Sequence, residues 1–228
     1  MNPHLTTNQT RLPGAARRAF TLIELLTVIS IIAVLAALLI PTLAAISRQK
    51  YISAAKGELG QVQAAIDSYK AKYGSYPPSN PGSAQTNQLY YELSGTTHAG
   101  NTFTTLDGQQ SVDAGTLTTV FGAAGIVNCT HGSGEDAVPA KNFLLGLKPG
   151  QAGNLPLASG GAVTLLISSV RGLDAKYQPV GQADTIPFCY NSFNPTNNPG
   201  SYDLWIDLSI AHKTNRISNW SRQVQILP

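Results

Sequence analysis

An unbroken apolar run at residues 20–40, closed by Pro41, limits this chain more than any other feature. It is 21 residues long and carries one charge, Glu24. As a helix rising about 1.5 Å per residue it would measure roughly 31 Å, the thickness of a bilayer hydrocarbon core. It is apolar on all sides, so it needs lipid or protein around its whole circumference. Residues 1–19 ahead of it are polar and basic and contain no acid. Arg17 and Arg18 favour a cytoplasmic N-terminus, an asymmetry softened by Arg48 and Lys50 beyond the run.

Three general readings compete for such a segment. A secretory signal has a basic start and an apolar run, but this run is long and no good Ala-x-Ala site follows it. A twin-arginine signal is partly matched by Arg17-Arg18-Ala19-Phe20-Thr21-Leu22, with the same objection. A plain membrane anchor leaves Glu24 unexplained. A carboxylate at the centre of a membrane helix costs about 2.5–3.5 kcal/mol on insertion scales, and less near the interface. Cleavage before Phe20 would free an ammonium four residues from Glu24. The ammonium of one subunit could then compensate the carboxylate of the next; the plainer alternative is a carboxylate facing headgroups.

At this point the residues meet a family. Ala19-Phe20-Thr21-Leu22-Ile23-Glu24-Leu25-Leu26 resembles the processing and methylation motif of type IV pilins and type II secretion pseudopilins. The resemblance implies cleavage between Ala19 and Phe20 by a prepilin peptidase on the cytoplasmic side, with methylation of the new Phe20 amine. It implies assembly roles for Glu24 and for Pro41. The family's usual residue before the cut is glycine, and this chain has Ala19. The close resemblance covers residues 17–78.

Beyond Pro41 the pattern becomes amphipathic. Leu59, Val62, Ile66, Tyr69 and Tyr73 recur at helical steps, while Lys56, Glu58, Gln61, Gln63, Asp67, Lys70 and Lys72 fall largely off that face. Gly57 and Gly60 weaken the helix by up to about 1 kcal/mol each. Gly74 and Pro77-Pro78 end it. The expectation is a helix over 21–73, bent or locally melted near Pro41. Strands are expected at 163–170, at 186–190 (an edge, because of Pro187) and at 202–210, with a loop at 191–200. Within the less legible 79–160, short helices are expected at 89–93 and 143–147 and a strand at 116–121. The sum is an α+β chain, with a pilin-like fold implied by the resemblance: a long N-terminal helix packed on a C-terminal antiparallel sheet. The divisions are a leader at 1–19, a transmembrane and assembly segment at 20–41, an amphipathic helix at 42–73 and a periplasmic globular domain at 74–228.

Composition narrows the chemistry. Charged residues make up 12%, about half the usual share, and the net charge of +3 is scattered, with no basic stripe to bind nucleic acid. Cys129 and Cys189 are far apart; an oxidising compartment would permit a disulfide, and spacing leaves that open. Cys129 with His131 is too little for zinc, and His98 and His212 are remote in sequence. Gly132-Ser-Gly-Glu-Asp136 lacks the lysine and the context of a phosphate loop. Trp205 and Trp220 read as packing residues. Relatives with a C-terminal calcium loop supply several acids there. This chain offers Asp203 and Asp207 but Lys213 and Arg216 where an acidic loop would be wanted, so no metal and no other cofactor is expected. No catalytic constellation emerges.

The resemblance therefore implies a structural subunit of a type II secretion pseudopilus, in the bacterial inner membrane with its C-terminal domain in the periplasm. Its partners would be copies of itself, other pseudopilins, the prepilin peptidase and an inner-membrane assembly platform. A type IV pilin for adhesion, motility or DNA uptake is the alternative, and a membrane-tethered enzyme the reading from another class.

Overall fold

The structure, a computed structural model, describes residues 20–131, 137–171 and 174–227, with the backbone alone for 39–45. The chain divides into two compact units, Met1–Ile46 and Ser47–Pro228. The first helix, α1 (Leu22–Tyr73), is 52 residues long. It passes Pro41 as helix, so the local melting expected there is not found. Leucines and alanines on both sides are strong helix formers and carry the backbone across the missing N–H. It ends as expected. Gly74 turns to φ 76° and its N–H donates to the Lys70 carbonyl at 2.8 Å.

In the first unit the described apolar side chains are exposed, from Leu22 to Leu38. Among the described residues no helix is long and apolar enough to cross a membrane. Within the run, side chains are described only as far as Leu38.

The second unit is α+β. Ile52, Ala55, Leu59, Val62, Ile66 and Tyr69 of α1 are buried, and Tyr73 packs beside them. Glu58 corrects the expected polar face, because it is buried as well. Helix α2 (Leu89–Ser94) forms where expected and is buried throughout. The strands make three small antiparallel sheets, not one. The first joins β1 (Thr96–Ala99), β2 (Thr102–Thr105) and β3 (Ser111–Asp113); the second is the hairpin β4 (Ala152–Pro156) with β5 (Ala162–Leu166). The third runs in the order β6 (Cys189–Asn191), β7 (Asp203–Ile210), β8 (Lys213–Ser218), β9 (Gln225–Leu227).

Several segments depart from expectation for local reasons. Residues 116–121 are helical: α3 (Ala114–Thr116) runs into a π-turn, Leu117–Phe121. Their threonines and valine suggest a strand, but the Asp113 carboxylate accepts the Thr116 N–H at 2.9 Å and caps a helical turn instead. Residues 143–147 are not helical. The Phe143 N–H donates to the Leu93 carbonyl, the Leu144 N–H to the Asn142 side chain, and Gly146 sits at φ 83°. The strand expected at 163–170 ends at Leu166, after which Ile167 bridges to Pro187. The strand expected at 186–190 is shorter and later, β6 at Cys189–Asn191, and it lies at an edge, while Pro187 stays outside it in the bridge to Ile167. β7 is buried on both faces along most of its length, so the half-buried expectation was too weak.

Candidate functional site

The first turn of α1 follows from its sequence. Thr21 precedes the helix and Glu24 follows three residues on. The Thr21 N–H and hydroxyl both donate to Glu24 Oε2, at 2.9 and 2.7 Å. The Glu24 N–H donates back to Thr21 Oγ1 at 3.3 Å. This is a reciprocal capping box, which satisfies backbone donors that a helix start leaves bare. The signal, Thr-x-x-Glu before an apolar run, stood in the sequence, and Thr21 is the functional residue it would have added. Glu24 Oε1 makes no hydrogen bond among the described residues, so one oxygen caps the helix and the other stays open. Phe20 is exposed. Ala19 lies outside the described residues, as does the side chain of Pro41.

In the second unit the two acids of β7 are occupied. Asp203 accepts the backbone N–H groups of Thr196, Asn197 and Asn198, each at 2.9 Å, and the Asn197 amide at 3.0 Å. Asp207 receives Arg216 in a two-pronged pair, both contacts 2.8 Å. That pairing, ahead of the opposing effect of burial, raises the Arg216 guanidinium pKa. Lys213 and Arg216 therefore lie on β8, not in a loop. Among the described residues no group of three or more His, Cys, Asp or Glu is placed to hold a metal.

Two further carboxylates are buried. Glu58 accepts the Ser168 hydroxyl at 2.6 Å, and both the N–H and the hydroxyl of Ser169. Glu92 accepts the Tyr69 hydroxyl at 2.9 Å and the N–H groups of Val127 and Asn128 at 3.0 Å. Burial pushes the Glu92 carboxyl up, against those three donors. Cys129 and Cys189 are free and buried, and desolvation holds the Cys189 thiol well above its ordinary range. Trp205 and Trp220 pack edge to face at 5.7 Å.

The model of the prokaryotic N-terminal methylation motif matches residues 14–40, the stretch that contains Phe20, the capping box and the apolar run. Type II secretion system core protein G of Pseudomonas aeruginosa is 38% identical over 63 residues, which is 28% of this chain and 44% of that protein. The N-terminal segment is pilin-like. It spans less than half the length of the curated relative it matches. No solved structure matches this chain.

Seen from the pilin-like segment, the structure adds a local partner for Glu24 and leaves its second oxygen open. The residues 132–136 read as a poor phosphate loop lie outside the described residues. Cys129 pairs its backbone with Thr96, and His98 stacks on Phe103 at 4.3 Å.

Proposed function

We propose that this chain is a structural subunit of a type II secretion pseudopilus. The observation that carries the reading is the methylation-motif match across residues 14–40, joined by the similarity to a type II secretion core protein. In this reading residues 1–19 are a leader removed between Ala19 and Phe20, and Phe20 is methylated. The apolar run anchors the precursor in the inner membrane with the globular domain in the periplasm. Copies then assemble through their N-terminal helices with other pseudopilins on an inner-membrane platform, and the globular part has a pilin-like fold.

Glu24 has a specific place in this assembly. Its Oε2 is held by Thr21, which fixes the carboxylate, while Oε1 remains available to the Phe20 ammonium of a neighbouring subunit. In a medium without water such a pair gains strength, and desolvation opposes it. Type IV pilus subunit is the second reading, because the segment that matches is the one both families share.

N-terminal mass spectrometry of membranes from peptidase-containing cells should find N-methylated Phe20 as the first residue. An intact Met1, or a terminus near Ala45, removes the pilin reading. Deleting the gene separates the two filaments. Loss of exported enzymes from the medium with surface motility intact fits the pseudopilus, and the opposite pattern assigns a type IV pilus.

A further inference from the structure

The resemblance to pseudopilins implies a calcium ion in a loop near the C-terminus, and the residues here do not fit one. Calcium takes about six to eight oxygens, from carboxylates, backbone carbonyls and water. The stretch in question runs from Asp203 and Asp207 to Trp220, and it is a hairpin rather than a loop. β7 and β8 pair from Trp205 opposite Ser218 to Ile210 opposite Lys213. Ala211 and His212 make the whole turn, at φ 52° and 59°, the positive values that a two-residue hairpin turn needs to follow the twist of its strands. β9 pairs with the other edge of β8 at Thr214, Asn215 and Arg216. The backbone carbonyls along β8 are taken up by ladders on both sides.

The carboxylates are closed to a cation as well. Asp203 is ringed by donors: the N–H groups of Thr196, Asn197 and Asn198 and the Asn197 side-chain amide. An ion there would face hydrogens instead of oxygens. Asp207 stands directly opposite Arg216 in the strand register. Its Oδ1 accepts from Nε and its Oδ2 from Nη2, and Oδ2 also accepts the Trp205 indole N–H at 3.3 Å. The guanidinium lies over the Trp205 ring at 5.2 Å, and Trp220 packs on that same indole. The Asp207 and Arg216 side chains are only 12% and 28% exposed, so the pair is largely shielded from water.

We propose that the Arg216 guanidinium takes the place of a divalent cation in this sheet, so that the second unit closes on a charge of its own and is independent of calcium. The charge balance supports the substitution. One guanidinium neutralises one carboxylate, whereas a divalent ion calls for a second acid, and Asp203 is already engaged by its own loop. Guanidinium also suits the role because it stays protonated and its planar fork matches two carboxylate oxygens. Closure of the β7–β8–β9 end then follows from the chain itself and not from the supply of an ion. The inference concerns the second unit and is the same whether the chain builds a pseudopilus or a pilus.

The full-length protein in detergent micelles is stripped of metal and melted in EDTA, in calcium chloride and in magnesium chloride at matched ionic strength. A calcium site filled at a hundred times its dissociation constant would raise the midpoint by roughly 5–10 °C. The three midpoints should instead coincide, and the β8 amides should exchange at the same rate in each. Arg216→Gln should lower the midpoint equally in all three solutions, because it leaves Asp207 without its counter-charge. The double variant Asp207→Asn with Arg216→Gln should recover part of that loss, since no charge is then stranded. A guanidinium that acted only by packing on Trp205 would give no such recovery. A rise in midpoint specific to calcium overturns the proposal, as does Arg216→Gln melting with the parent or a double variant that recovers nothing.

Discussion

Removing the Tyr69 hydroxyl tests how the helix is fastened to the rest of the second unit. Tyr69 is fully buried on α1 and donates at 2.9 Å to Glu92, itself fully buried on α2. Tyr69→Phe preserves the ring and deletes one of three donors to that carboxylate. A hydrogen bond to a charged group contributes about 1.5–3 kcal/mol. In a unit of this size 1 kcal/mol moves the melting temperature by about 2–4 °C, so the variant should melt roughly 3–12 °C lower. The pH dependence gives a second reading. Burial raises the Glu92 pKa above its unfolded value, so the folded state binds the extra proton between the two values. This contribution to stability is full below the ordinary carboxylate range and is lost as pH rises through the raised value. Tyr69→Phe removes a donor that favours the charged form, so the fall should be deeper and reach a higher pH. Glu92→Gln should abolish it, at a lower overall stability, because an amide NH₂ would face a backbone N–H. Circular dichroism melts of the detergent-solubilised chain from pH 4 to pH 8 measure both. Tyr69→Phe melting with the parent throughout, or an unchanged pH profile in Glu92→Gln, would refute the reasoning.

Gly57 and Gly60 lie on the exposed side of α1 with open space where a Cβ would stand. Alanine at each should add about 1 kcal/mol of stability, read as a higher melting temperature. Asp203→Ala strands three backbone N–H groups of the 196–198 loop and should cost about 2–4 kcal/mol, with faster amide exchange confined to that loop. Glu24→Leu should be inserted and cleaved normally yet yield few filaments on overexpression; normal filaments would leave Glu24 as a helix cap alone. Glu24→Gln keeps a capping oxygen for Thr21 and loses the charge, so poor assembly there assigns the effect to charge and not to the cap.

The long helix was more legible than the sheets. The α1 face from Leu59 to Tyr69 was visible because a 3.6-residue period repeats over several turns, and its end because Gly74 and Pro77 punctuate it. β7 was visible by alternation. β8 was not, because Lys213, Thr214, Asn215 and Arg216 read as loop. Their pairing with β7 depends on register, including Arg216 opposite Asp207. The 116–121 error shows a local cap outweighing β-branched composition. Glu58 and Glu92 were invisible as buried groups because their donors, Ser168, Ser169, Val127 and Asn128, are remote in sequence. At the N-terminus the Thr21–Glu24 box needed only a three-residue spacing.

The order in which the chain is made gives the α1 stripe a waiting time. Ile66 completes its turn of the helix early, yet Ile217, at the far end of the core, is 151 residues later by numbering. At about 5–20 residues per second, roughly 8–30 s of synthesis separate the two. For that interval Ile52, Leu59, Val62 and Ile66 have no late strands to cover them. A nascent chain with such a stripe needs a holding partner or a rapid, imperfect collapse, so its yield should be more sensitive to translation speed than that of a domain built from neighbouring hairpins.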